Sequence, residues 1–155
     1  MAERLAPAVI RIRDAFFIEL DKIGIDDETK WHTQPKTKGL HNGLTVTDML
    51  ALPAPAILLR MGNKSPSRIG QSLHRDTVEV IVYCVNTNTR DPEAALWDLM
   101  EDVTRAIRES EEVGPVIDLE DIACEPHMEE VAGKAGIGFG VVRAQAYYQT
   151  DHIDT

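Results

Sequence analysis

The fold is decided by residues 89–107, which read TRDPEAALWDLMEDVTRAI. Asp91 is a favourable N-cap residue, and Pro92 suits the first position of a helix. Apolar residues then recur every three or four positions, as on the buried face of an amphipathic helix; they are Leu96, Leu99, Met100, Val103 and Ile107. The segment therefore predicts a helix that continues to about residue 109 and packs one face on a core.

Four segments on either side of this helix have the composition of strands. Before it, residues 56–61 form a short run rich in branched apolar residues, and residues 76–85 are apolar on both alternating faces. After it, residues 116–125 alternate loosely, and residues 137–148 form a long alternating run. Strands that arrive in pairs predict hairpins and an antiparallel sheet, in contrast to the strict alternation of strands and helices in a parallel sheet.

A second helix is predicted at the N-terminus, over residues 3–24. Its apolar positions have helical spacing; they are Leu5, Val9, Ile12, Phe16, Leu20 and Ile23. Pro7 is tolerated only near the first turn, and Gly24 is a plausible stop. Together these elements predict one α+β domain over residues 1–155, with a mainly antiparallel four-stranded sheet and two main helices on one face.

Two stretches are predicted to be irregular. Residues 25–55 are mostly polar and contain several prolines and glycines, which indicates an irregular elaboration of the domain. Residues 62–75 read GNKSPSRIGQSLHR, which predicts an extended basic loop.

The composition excludes several classes of protein. A chain of 155 residues with 43% hydrophobic and 27% charged residues is typical of one globular domain. Its two cysteines are too few for a disulfide framework, which favours a reducing cytoplasmic origin. The sequence has neither a bilayer-spanning apolar run nor a signal-peptide core, so we expect no membrane association.

The net charge of −10 is unevenly distributed along the chain. Residues 1–85 carry eleven Lys and Arg against ten Asp and Glu, whereas residues 86–155 carry five against sixteen. An acidic surface keeps a protein soluble and repels polyanions, which argues against an outer surface that grips nucleic acid.

No motif in the sequence predicts catalysis, a metal site or a cofactor. Cys124 and His127 have the spacing of one pair of zinc ligands, but the sequence has no second pair to complete a zinc site. Cys84 is expected to be a core residue. The glycine-rich segment 133–140 leads into a strand instead of a helix, which does not fit a phosphate-binding loop. Pairs of acids are expected on solvated faces; they are Asp98 and Asp102, Glu111 and Glu112, and Glu129 and Glu130. We therefore expect a protein that is not an enzyme.

The predicted loop at residues 62–75 supplies the only candidate contact residues. It carries Lys64, Arg68, His74 and Arg75, with no acid before Asp76. A basic loop on an acidic protein is a candidate contact arm for an acidic partner surface or for phosphate. The alternative, an ordinary solvated loop, stays open.

The order of elements resembles that of the tail terminator proteins of long-tailed bacteriophages. The segments that carry the resemblance are TRDPEAALWDLMEDVTRAI (89–107) and GIGFGVVRAQAYY (136–148), and the likeness covers roughly residues 1–24 and 56–149. Residues 25–55 do not fit the family pattern; they are interpreted as an elaboration on the exterior of a ring or toward a neighbour.

The resemblance implies a structural virion protein, assembled in the host cytoplasm, whose protomers form a ring that is expected to be a hexamer. Such a ring sits at the head-proximal end of the tail tube, stops tube polymerisation and provides the surface that joins the head. The implied partners are the tail tube protein, the head–tail connector proteins and genomic DNA that passes through the lumen without sequence-specific binding. Two alternatives stay open: another component of the head–tail neck, and a small peptide- or ligand-binding module.

Overall fold

A computed structural model describes residues 7–27, 29–65, 73–109, 116–131 and 133–151. These residues form five strands, three α-helices and one 3-10 turn. In chain order the elements are α1 (Ala8–Asp21), β1 (Thr37–Leu40), α2 (Val46–Leu50), β2 (Ala56–Ser65), β3 (Leu73–Thr87), α3 (Pro92–Arg108), β4 (Val116–Pro126), the 3-10 turn Met128–Val131 and β5 (Ile137–Asp151).

The strands form one mixed sheet in the order β1-β2-β3-β5-β4. The predicted α+β class is confirmed, and β2, β3, β5 and β4 form the antiparallel part of the sheet. The predicted number of four strands is wrong, because β1 adds a fifth strand parallel to β2. The two central strands, β3 and β5, pair along their whole length, from Leu73 opposite Asp151 to Thr87 opposite Ile137.

The prediction that residues 25–55 are irregular is wrong for two parts of that segment. Residues 37–40 form β1, which pairs with the first four residues of β2. Residues 46–50 form α2, where the Thr45 hydroxyl accepts from the Asp48 amide and the Asp48 carboxylate accepts from the Thr45 amide. This capping box stabilises a helix that is too short to show an apolar period in the sequence.

The prediction of a loop over residues 62–75 is also wrong at both ends. The paired strands continue through Ser65 in β2 and begin again at Leu73 in β3. The register of the two strands shifts between Met61 and Lys64, where Gly62 and Asn63 lie in an irregular part of β2. Such a bulge lets strand pairing continue through residues whose composition is typical of turns.

The main core lies between the sheet and the pair α1 and α3. Helix α3 buries its whole predicted apolar stripe. Helix α1 buries Ile12, Phe16 and Leu20 of its predicted stripe, while Val9 is half-buried and Leu5 lies outside the described residues. The strand residues that meet the two helices alternate along β3 and β5. Gly138 permits the closest approach, because a Cβ atom there would lie 2.6 Å from the Pro92 carbonyl oxygen and 2.8 Å from the Leu96 Cβ. The glycines of β5 thus allow α3 to lie directly on the centre of the sheet.

Helix α3 begins as the sequence predicts, whereas α1 spans only Ala8–Asp21 of the predicted 3–24, and residues 3–6 lie outside the described residues. The Asp91 carboxylate accepts from the Ala94 amide at 3.0 Å, and Pro92 is the first residue of α3. In α1, Pro7 occupies the N-cap position, and Gly24 follows the helix with a φ of 79°, which glycine adopts without strain. A side chain at Gly24 would also collide with the carbonyl oxygen of Thr33 at 2.8 Å.

Asp102 of α3 fixes the segment that leads from α1 to β1. Its carboxylate accepts from the amides of His32 (2.9 Å) and Thr33 (2.8 Å) and from the Thr33 hydroxyl (2.6 Å). The side chain is 1% exposed, so the prediction of a solvated face is wrong for Asp102, whereas Asp98 is exposed as predicted. A buried carboxylate with several donors is a strong local constraint on the chain.

We expect Asp102→Ala to destabilise the fold by about 3 kcal/mol, because two amides and a hydroxyl lose their acceptor in a buried place. Chemical denaturation monitored by circular dichroism measures the difference. Asp98→Ala is the matched control: it removes the same charge one turn earlier on α3 and should change the stability by less than about 0.5 kcal/mol. Equal losses in the two variants would contradict the anchoring role.

Candidate interaction surface

The four residues predicted as a contact arm do not form one surface. Lys64 stands opposite Val78, on the face of the sheet that α1 and α3 cover. Arg75 lies three residues from Val78 along β3 and therefore belongs to the other face, called here the second face. His74 is part of β3, where it pairs with Thr150, but its side chain lies outside the described structure, as does the whole of Arg68.

Lys64 serves the fold from the end of the main core. Its Nζ lies 3.5 Å from the carboxylate of Asp76, which is 2% exposed, and 6.0 Å from the ring centre of Tyr148. Burial lowers the pKa of Lys64, but Tyr148 and Asp76 outweigh this effect, so the pKa is raised overall. The cation thus neutralises a buried acid and does not extend as a free arm.

Arg75 is also engaged within the chain. Its guanidinium lies 4.3 Å from the ring centre of Tyr147, and its Nη2 lies 3.8 Å from Asp118 Oδ2 on β4. Stacking on an aromatic ring together with a carboxylate at one end is a common way to hold an arginine in place. Two of the four candidate residues are therefore internal partners of acids.

The second face carries an ion-pair chain that the sequence analysis did not single out. Arg143 of β5 lies between two acids on neighbouring strands, with its Nη1 3.3 Å from Glu79 Oε1 and its Nε 2.9 Å from Glu125 Oε2. The signal in the sequence was the lone charge of Arg143 in a run that alternates with apolar residues. Which acids lie beside Arg143 depends on how β3, β5 and β4 are aligned, and the sequence does not reveal this register.

Aromatic and imidazole rings occupy the same face nearer to α2. The ring of Tyr83 lies 4.8 Å from that of His41 and 6.4 Å from that of Phe139, and the guanidinium of Arg60 lies 5.7 Å from its centre. Phe139 is buried in a small second cluster; its other members are Met49, Ala56, Leu58, Val85 and Val131. The second face is therefore apolar at one end and charged along its middle.

The acids of the second half of the sequence are displayed outward on two neighbouring elements. Exposed acids lie on α3 and on β4; they are Glu93, Asp98, Glu101, Asp118, Glu120 and Asp121. The pKa of Glu120 is raised because its carboxyl shares a hydrogen bond with Asp118 and feels its charge. The β4 side of the molecule is therefore strongly acidic.

One depression, of about 320 Å³, is lined by Glu93, Pro126, His127, Met128 and Glu129. Cys84 is buried, as predicted, and burial raises the pKa of its thiol. Within the described ranges, no three His, Cys, Asp or Glu side chains are placed to hold a metal ion, and no helix is long and apolar enough to cross a membrane.

Comparison with known protein families finds no matching family, and a search of curated proteins finds no match. The second face and the edge strands present charges and rings, an arrangement suited to contacts with macromolecules.

We expect Lys64→Glu to lower the free energy of unfolding by about 1–2 kcal/mol, because a second carboxylate would face the buried Asp76. Lys134→Glu, the same change at an exposed residue, is the control and should leave the stability within about 0.5 kcal/mol of the wild type. Urea denaturation provides both values. A Lys64→Glu protein as stable as the control would restore Lys64 as a free contact residue.

Proposed function

We propose that the chain is a structural protein of a long-tailed bacteriophage, the tail terminator. In this role its protomers form a ring at the head-proximal end of the tail tube. The ring stops tube polymerisation, provides the head-joining surface and lets genomic DNA pass. The proposal begins from the resemblance of residues 89–107 and 136–148 to that family.

The folded chain supports this proposal through the way these two segments meet. Residues 92–108 form α3, and residues 137–151 form β5, and the two pack directly on each other at Gly138. The segments that carry the resemblance thus form one structural unit at the centre of the domain. The two longer helices, α1 and α3, lie on one side of the sheet, and the short α2 packs on the other.

The observation that carries the proposal is the outward display of acid on β4 and on the first half of α3. A surface of one charge sign repels DNA phosphates and lets a duplex move past without being held. It also keeps protomers soluble before assembly. A DNA-conducting ring requires both properties.

The assembly state and the effect on tube growth test the proposal. We expect the purified chain to sediment as a closed oligomer and to appear as rings in negative-stain electron microscopy. Added to polymerising tail tube protein of the same phage, it should shorten the tubes in proportion to its concentration and occupy one end of each tube.

The outcomes separate the candidate functions. Rings that bind tube ends without stopping growth would favour another component of the head–tail neck. A protein that stays monomeric at high concentration and leaves tube length unchanged would overturn the proposal and return the chain to the class of small binding modules.

A further inference from the structure

The sheet formed by the described strands has two edges, and they carry opposite charge. One edge is β1; the segment from Gln34 to His41 that contains it has two lysines and no acid. The other edge is β4, which has four acids and no base. The two edges lie on opposite sides of one domain, since three strands separate them.

Part of this charge is already used inside the chain. On β1, the Nζ of Lys38 donates to the carbonyl oxygens of Asp21 (2.6 Å) and Ile23 (2.9 Å). On β4, Asp118 lies 3.8 Å from Arg75, and Glu125 pairs with Arg143. These residues are committed to the fold of a single protomer.

The remaining charges are exposed. Lys36 stands at the start of β1, and Glu120 and Asp121 lie together on β4; within the described ranges none of the three has an oppositely charged side chain within 4 Å. Asp121 has a φ of 55°, and the pairing of β4 with β5 shifts register between Glu120 and Ala123. The two acids therefore lie on a bulge of the edge strand.

The edge at β1 also offers backbone groups and an apolar side chain. The amides of Thr37 and His41 donate inward to carbonyl oxygens of the neighbouring chain segment at 3.2 and 2.8 Å. The amide and carbonyl groups of the residues in between, Lys38 and Leu40, point the other way, toward the open side of the edge strand. Leu40 is 39% exposed, so this edge combines a cation, outward peptide groups and apolar area.

We propose that the β1 edge of one protomer binds the β4 edge of a second copy of this chain, with Lys36 facing the Glu120–Asp121 bulge. Two β4 edges repel each other, and so do two β1 edges, so symmetrical pairing through like edges is unfavourable. Only the contact of β1 with β4 brings opposite charges together. A row of copies joined in this way has a free β1 edge at one end and a free β4 edge at the other. Closure into a ring pairs these two edges.

This inference rests on the proposed ring and names the two surfaces that hold neighbouring protomers together. The bulge on β4 interrupts its regular ladder, so the contact is expected to use the side chains of the bulge more than a continuous sheet. Because exposed charges attract each other less in salt, the oligomer should dissociate as ionic strength rises.

Two single reversals test the contact in the full chain. Lys36→Glu and Glu120→Lys should each raise the concentration needed for half-assembly by about tenfold or more, since every contact in the ring then opposes like charges. Sedimentation velocity at several concentrations measures this change, and circular dichroism checks that both variants are folded. If Glu120→Lys does not fold, Asp121→Asn replaces it in this single-variant measurement, because asparagine accepts a positive φ while removing the charge; a smaller loss of assembly is then expected.

Mixing the two variants gives the decisive measurement. In an equimolar mixture, the glutamate introduced at position 36 of the first variant can face the lysine introduced at position 120 of the second. The unchanged Lys36 of the second variant can likewise face the unchanged Glu120 of the first. Alternating copies should therefore assemble although neither variant assembles alone. Arg90→Glu and Asp98→Lys are the matched controls, because they make the same charge changes at exposed residues that lie on neither edge strand and should leave assembly unchanged.

The outcomes distinguish this contact from the proposed function. Assembly of both single variants at the wild-type concentration would overturn the edge contact and leave a ring held by other surfaces. Loss of assembly without recovery in the mixture would overturn it too, since the two charges would then act independently. A wild-type chain that never assembles would overturn the ring itself.

Discussion

The direct packing of α3 on the centre of the sheet is the constraint on which the rest of the structure depends. It requires a face of β5 without side chains opposite the first turns of the helix, and Gly138 and Gly140 provide that face. Because β5 pairs with β3 along its whole length, the position of α3 also fixes which residues of β3 are buried. Asp102 then extends from the same helix to hold the segment before β1, so even the edge strand is positioned from α3.

The elements that the sequence predicts well are those whose signals are local. The start of α3 depends on Asp91 and Pro92, and its buried face depends on a regular apolar period, so both are visible without the fold. By contrast, β1 is four residues long and contains lysine and glycine. It becomes a strand only because the edge of β2 supplies its hydrogen bonds, and a partner distant in sequence leaves no local trace.

The interaction surface was harder to predict for a related reason. Lys64 and Arg75 lie eleven positions apart in a stretch that resembles a loop, and the sequence suggested one basic arm. The strands extend into that stretch, and alternation places the two side chains on opposite faces, where Asp76 and Asp118 partner them. A bulge in β2 and another in β4 shift the register, so the cross-strand partners of Arg143 could not be read from sequence spacing either.

The fold therefore divides the charges of this acidic chain into two groups. Arg143, Arg75 and Lys64 each neutralise an acid that strand pairing brings close, so these charges are matched within a single protomer. The exposed charges outside these pairs include the acids of β4 and of the first half of α3, and Lys36 at the opposite edge of the sheet. A net charge of −10 alone would describe a protein that repels its own copies. In the proposed head-to-tail contact, Lys36 of one copy faces the Glu120–Asp121 bulge of the next, so attraction at short range would offset this net repulsion.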